Sequence, residues 1–492
     1  MVRVGGWPGR GVAAGSSGAR PRSGGVRTGW AGRSLLAGGL VVAVLAGCTG
    51  APPDPDRPRP GPVDVGDPYV PGHGNGGYDV AAYRLRVRYD PADDRLTGHA
   101  TITATTTAAL SRFNLDLAGL TVSTVRVDGK PARHARDGRE LVVTPARGLA
   151  RGAPFAVEVE YAGVPAPVES ELGVGGFLAT PDGAVALGQP ESAATWFPVN
   201  DHPSDKATYD VEVTVPDGLA ALSNGVPAGR SSSGGWTTWR WAERAPMASY
   251  LSTLVIGDYR VTTGTHAGKP MVTAVAAGLP ADGPAATSIA RTGEIADFLA
   301  DRFGPYPFDS YGGIALADGR ISYALETQSR PAYGPGFFLA GGPNTEVVAH
   351  ELAHQWFGDS VSLDRWGDIW LNEGFATYAE WLWTEHGGGR TAQRAFELRH
   401  AATDWSRPSV NPGRADMFGA AVYQRGALAV HALRRTVGDE VFFRILRTWT
   451  AERRGGNATT ADFVALAERV SGRRLGAFFD AWLVGGTAPA LP

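Results

Sequence analysis

The sequence predicts two folded domains in tandem: an N-terminal all-β saddle or sandwich, then a mixed α/β domain that turns mostly helical. Three observations predict it. Over residues 78–264 short runs alternate apolar and polar residues with a period of two, are rich in Thr and Val, and are broken by Gly, Pro or Asp every ten or so residues. Beyond residue 264 apolar residues recur at three- and four-residue spacing, the period of helices buried on one face. The length of 492 residues, with 43% hydrophobic content and 14 tryptophans, gives enough apolar surface for more than one core.

A leader precedes the domains. Residues 1–47 carry several arginines up to Arg33 and then an apolar run, Leu35 to Gly47, of about 13 residues. That suits the central region of a secretory signal and falls short of the roughly 20 residues a helix needs to span a bilayer. The chain is therefore expected to be exported. Its one cysteine, Cys48, ends "LAGC", which resembles the lipobox of bacterial lipoproteins. The resemblance implies a lipid anchor on Cys48 as the only membrane contact, with the protein facing outward; plain secretion is the alternative. A single cysteine forms no intramolecular disulfide, so burial alone must hold the domains.

Residues 48–77 include "APPDPDRPRPGP", six prolines in twelve residues, and are expected to form a stiff tether. The β domain is expected over residues 78–264. Its strands are legible in Tyr83, Leu85, Val87 and Tyr89, in "HATITATTT", "LTVSTVRVDG", "LVVTP" and "FAVEVEYAG", and again in "YDVEVTVP" and "YLSTLVIGDYRV". No fixed-period repeat stands out, which excludes a solenoid or propeller. The second domain, residues 265–492, opens with "SIARTGEIADFLADRFG", a helix carrying Ile289, Ile295, Phe298 and Leu299 that stops at Gly304 before Pro305. Strand-like "ISYALET" follows, then helices around residues 350, 373, 430 and 465.

Charge narrows the partners. Lys and Arg number 46 against 49 Asp and Glu, so no basic footprint for nucleic acid exists. The chemistry concentrates in "HELAHQWFGD", residues 350–359. On a helix His350 and His354 are one turn apart on one face and can aim ring nitrogens at one point, which zinc needs at ~2.0–2.1 Å from each. Glu351, beside that face, is placed to work on a water rather than to bind metal. A third ligand is available in Glu373 of "WLNEGFATYAE", with 18 residues between it and His354. Two histidines and a carboxylate form the ligand set of hydrolytic zinc sites, one Zn2+ per chain. Glu380, seven residues past Glu373, shares its helical face and is a candidate to orient a ligand, or else a surface ion pair.

H-E-x-x-H, 18 residues, then N-E-G-F-A resembles the M1 family of zinc aminopeptidases, the gluzincins that include aminopeptidase N and leukotriene A4 hydrolase. "WFPVNDHPSDKATYDVEVTVP" (Trp196 to Pro216) is similar to the family's stretch near the end of its β domain. "HQWFGD" is similar to the family's "HQWFGN", with Asp359 replacing Asn. The resemblance runs from about Tyr78 to the end and implies a thermolysin-like catalytic domain. "FFDAWLVGGTAPALP" looks like the end of that domain, so a short form is expected, without the C-terminal helical domain of longer members and with a more open site.

The same resemblance implies residue roles. The family's G-x-M-E-N motif, whose glutamate holds the substrate's α-amine, is represented by "YALET", where Glu326 is retained. A Gln-x-Glu or Gln-x-Gln stretch that shares the amine is matched by "QPES", with Glu191 in that position and Gln189 beside it. "YQRGA" is similar to Y-x-K-G, whose tyrosine hydroxyl steadies the oxyanion, here Tyr423. Glu351 is then the general base. The function implied is a zinc aminopeptidase acting on peptides with a free N-terminus. The alternatives are an endopeptidase or epoxide hydrolase on the same zinc, and a non-catalytic lipid-anchored peptide-binding protein.

Overall fold

The computed structural model of the protein describes residues 54, 56–170, 173–339 and 341–492; the leader and Cys48 lie outside them. The period-two runs form strands as expected. In Tyr78–Asp90, Tyr83, Leu85, Val87 and Tyr89 are at most 2% exposed, while Arg84, Arg86 and Arg88 face solvent. One face pays the desolvation of the core and the other stays wet. The main β sheet has eight strands in the order Val226–Ser233, Trp236–Ala248, Lys206–Pro216, Tyr78–Asp90, Arg95–Thr106, Pro154–Gly163, Thr121–Val127, Lys130–Pro131. A five-stranded sheet, Pro167–Ser170, Gly173–Thr180, Gly183–Leu187, Leu254–Gly257 and Ala220–Ser223, carries the β domain toward the catalytic domain.

Two expected boundaries shift. The strand Tyr259–His266, assigned from its alternation to the β domain, pairs antiparallel with Lys269–Ala276 in the catalytic sheet, so the domains meet near Asp258 rather than Gly264. Alternation reveals a strand but not the sheet that it joins. The second shift concerns the tether expected over residues 48–77. From Arg59 onward it belongs to the folded body: Arg59–Pro60 pair with Leu110–Asp116, and Asp67, Tyr69, Val70, His73 and Asn75 are buried. Asp67 accepts the backbone N–H of Trp366 at 2.9 Å and faces His202 Nε2 at 3.3 Å, and the Tyr69 hydroxyl accepts the N–H of Gly413. This strap joins the β domain to two loops of the catalytic domain.

The catalytic sheet runs Tyr259–His266, Lys269–Ala276, Tyr311–Ala315, Ala332–Tyr333, Ala324–Leu325, with the last at the edge. The strand-like "ISYALET" thus contributes only two ladder residues, Ala324 and Leu325, and Glu326 follows directly. The first helical run is broken at Ala290–Arg291 into Pro284–Ile289 and Thr292–Phe303; the second buries Ile295, Phe298, Leu299 and Phe303. It stops at Gly304, whose φ of +101° is costly for a residue with a Cβ. No helix among the described residues is long and apolar enough to cross a membrane.

Two cations, one buried and one half-buried, stitch the domains. Arg330 donates to the carbonyls of Ser223, Gly225 and Val272, with its guanidinium 4.6 Å from the Trp241 ring. Lys206, from the β domain, donates to the carbonyls of Asp359 (2.8 Å) and Ser360 (3.0 Å), in the turn that follows His354. Burial without a carboxylate hydrogen bond is costly for an ammonium, and pushes Lys206 down to about 7.

The strap is testable. Replacing Asp67 by Ala leaves the Trp366 N–H and the His202 ring buried with one partner fewer each. We expect a loss of roughly 2–3 kcal/mol, read as a lower urea midpoint at unchanged m value. An unchanged midpoint would show that the strap only lies on the surface.

Candidate active site

Helix Thr345–Ala353 starts at Asn344, whose side chain accepts the N–H of Val347 at 3.3 Å. Val347 to Ala353 are all buried, which holds the helix rigidly in the core. His350 lies in its last turn and His354 closes it. Helix Trp370–His386 brings Glu373 in its first turn and Glu380 two turns later on the same face. These placements gather the three expected metal ligands. His350 Nε2 and His354 Nε2 lie 3.3 and 3.5 Å from Glu373 Oε2, and ligand atoms of all three fall within 4.8 Å of one another. Tetrahedral bonds of about 2.05 Å require ligands about 3.3 Å apart, so the spacing suits zinc.

The outer nitrogens fix which inner ones are free to ligate. His350 Nδ1 meets Glu380 Oε1 at 2.6 Å, and His354 Nδ1 meets the carbonyl of Phe357 at 3.0 Å. A carbonyl can only accept, so His354 carries its proton on Nδ1 and offers the Nε2 lone pair; Glu380 acts on His350 in the same way. His354 Nε2 is fully buried and has no hydrogen-bond partner among the described residues, a state that coordination to a metal explains. Bound there, zinc would supply Lewis acidity toward a carbonyl oxygen and toward water. Both Glu351 oxygens are likewise buried without a partner among the described residues. Burial pushes the Glu351 carboxyl above its ordinary value, against the pull of His350 and His354, which moves it toward the range of a general base.

Tyr423 is brought in by a close helix crossing. A Cβ on Gly374 would sit 2.9 Å from the Cα of Gly426, so only two glycines allow "NEGF" and "YQRG" to touch. Tyr423 occupies a π-helical turn, Ala421–Arg425, and its ring lies 6.1 Å from that of His350 at an interplanar angle of 19°. Burial, and then the carboxylates of Glu373, Glu326 and Glu351, push its hydroxyl well above its ordinary value, which favours the protonated, donating form. Arg425 holds the turn from behind by donating to the carbonyls of Trp405, Arg407, Trp482 and Gly485.

Glu326 completes the group. A carboxylate oxygen of Glu326 lies within 4.8 Å of ligand atoms of Glu351 and His354. Its Oε1 accepts from Gln189 Nε2 and from the Tyr250 hydroxyl, each at 3.1 Å, while Oε2 has no partner among the described residues. The structure separates the two "QPES" candidates. Gln189 reaches Glu326, whereas Glu191 is ion-paired with Arg139 and 3.5 Å from His73. Arg139 follows the strand Arg133–Asp137 in the same hairpin, and nothing in the local sequence ties it to residue 191. Tyr250 was not anticipated either; a tyrosine at the head of the strand-like "YLSTLVIG" reads as core, and only the fold reveals its partner.

An H-E-x-x-H helix, a glutamate from a second helix and a buried carboxylate beside the ligands define a gluzincin-type zinc site. Residues 290–482 match the Peptidase family M1 domain and residues 80–251 the Peptidase M1 N-terminal domain. Aminopeptidase N of Acetobacter pasteurianus is 30% identical over 318 residues, 60% of this chain and 88% of that protein. Aminopeptidase M1 of Arabidopsis thaliana is 31% identical over 61% of this chain, which spans only 36% of that longer relative. A solved M1 zinc metallopeptidase of Deinococcus radiodurans, bound to a Tyr-Ser-Ala substrate, superposes with a TM-score of 0.80 at 33% identity, covering 87% of this chain and 99% of that one. The chain belongs to peptidase family M1, and zinc is the metal that its ligand set takes.

Glu380→Ala removes the acceptor that orients His350. Zinc affinity is expected to fall about 10- to 100-fold with the fold intact, measured by competition with a chromophoric chelator. Unchanged affinity would reduce Glu380 to a surface ion pair.

Proposed function

We propose that the protein is a zinc aminopeptidase that removes single residues from the free N-terminus of peptides, acting outside the cytoplasmic membrane with Cys48 as its lipid anchor. One observation carries the catalytic reading: a buried Glu326 oxygen lies within 4.8 Å of the ligand atom of His354. Successive Cα atoms are about 3.8 Å apart, so an ammonium held by Glu326 leaves room for one residue before the carbonyl at the metal. The Oε1 of Gln189 and the Oε2 of Glu326, both buried and without partners among the described residues, are two acceptors for that ammonium. The tripeptide carried by the Deinococcus relative, and the free L-tryptophan and L-arginine bound to two-domain M1 zinc metallopeptidase mutants, support a small peptide with a removable first residue. The export reading rests on the leader alone.

In the reaction the chain's own groups divide the work. His350, His354 and Glu373 hold the metal, and Glu351 takes a proton from the attacking water and delivers it to the leaving amine. Tyr423 donates to the oxygen on which negative charge develops. Glu326 and Gln189 set which bond lies at the metal.

Amino-acyl amides with a free amine are expected to be cleaved at least about tenfold faster than their N-acetylated counterparts, because a buried carboxylate without its cation is costly; equal cleavage would reject the aminopeptidase. Glu351→Gln should keep its zinc and lose about 10²- to 10⁴-fold in kcat. Tyr423→Phe should lower kcat by about 10²- to 10³-fold with little change in KM; a change confined to KM would remove the hydroxyl from the transition state.

A further inference from the structure

We infer that Tyr250 is a positioning residue for the amine anchor: its hydroxyl, reaching across the domain interface to Glu326 Oε1, turns the second carboxylate oxygen toward the substrate ammonium. The inference rests on the aminopeptidase reading and deepens it. Glu326 follows a two-residue edge strand and is fully buried, so its backbone alone does not fix the direction of a side chain with three rotatable bonds. Three contacts do. Gln355 Nε2 donates to the Glu326 carbonyl at 3.1 Å, and Gln189 and Tyr250 both donate to Oε1. Two donors on one oxygen leave the other as the acceptor the site presents.

Of those donors Tyr250 is the more rigidly held. It sits in the 3₁₀ turn Ser249–Leu251, between the strands Trp236–Ala248 and Leu254–Gly257. The Ser249 hydroxyl donates to Asp201 Oδ1 at 2.8 Å, and the Leu251 carbonyl accepts from Asn224, whose amide also donates to the Gln328 carbonyl two residues past Glu326. The ring packs edge-on against Trp366, with centroids 5.3 Å apart. Trp366 is the residue whose N–H is held by Asp67 of the strap. A buried planar side chain with two torsions, packed against Trp366, delivers its hydroxyl to one place. Burial, and then the charge of Glu326, keep that hydroxyl protonated and therefore a donor.

The test separates orientation from general damage. An amino-acid hydroxamate and the same hydroxamate lacking the α-amine both bind through the metal, and the ratio of their inhibition constants reports the amine's contribution alone. In the wild-type holoenzyme the amine-bearing compound should bind more tightly. Tyr250→Phe removes one oxygen, keeps the ring on Trp366, and is expected to reduce that ratio about 5- to 20-fold and to raise KM rather than lower kcat. The des-amino compound should bind as before. Gln189→Leu, which removes the other donor to the same oxygen, should give a reduction of similar kind. Glu326→Gln serves as the reference. If Glu326→Gln leaves the ratio intact, the aminopeptidase reading itself fails. A ratio that collapses in Glu326→Gln but is unaltered in Tyr250→Phe overturns the role of Tyr250, and so does an equal weakening of both hydroxamates.

Discussion

Two imidazole nitrogens and a carboxylate oxygen aimed at one point, 3.3–3.5 Å apart in a site with no exposed surface, are the constraint on which the rest of the molecule depends. Such lone pairs repel one another, and only a shared cation repays their desolvation. The fold therefore has to hold them against that repulsion. It does so by burying the helix of His350 on all sides, by engaging each outer ring nitrogen with an acceptor, and by pressing two helices together where neither carries a side chain, at Gly374 and Gly426. Tyr423 comes with that last contact, so the metal ligands and the proposed oxyanion donor belong to one stiff unit.

The proposed recognition of the amine is built differently. Glu326 comes from the catalytic domain, but the two groups that direct its carboxylate, Gln189 and Tyr250, belong to the β domain. Chemistry thus resides within one domain and register across two. Buried Arg330 and half-buried Lys206 make this division workable, because Arg330 donates to carbonyls of both domains and Lys206 to carbonyls of the turn after His354. A backbone carbonyl does not change with sequence or with pH, which suits it to fixing distances.

Much of this was legible beforehand, and the boundary between legible and hidden follows from range. Helical spacing fixes what residues four or seven apart can share, so His350 pairs with His354 and Glu373 with Glu380 on paper, while joining the two pairs took the zinc ligand set and the motif interval. Alternation likewise gave the β strands, and Gly304 before Pro305 gave a helix end. Partnerships between distant segments left no local mark. Glu191 and Gln189 are two residues apart, and their separate fates were decided by Arg139 in one hairpin and Glu326 in another domain. The strand Tyr259–His266 looked like its predecessors while belonging to the next sheet. Residues 59–75 read as tether because they continue the run of six prolines in residues 51–62 and stay rich in Pro and Gly, although a few buried groups, Asp67 and Tyr69 foremost, are what bind them to the body.

That strap bears on how the protein can be handled. A recombinant chain trimmed to the apparent start of the first long strand, at Tyr78, would discard the acceptor for Trp366 and the hydroxyl against the Gly413 loop, both on the catalytic side. The cut would fall far from the zinc motif in sequence, and its damage would appear in the wall that carries Tyr250. Those buried contacts argue for a start upstream of Asp67, ahead of any point that hydropathy alone would recommend.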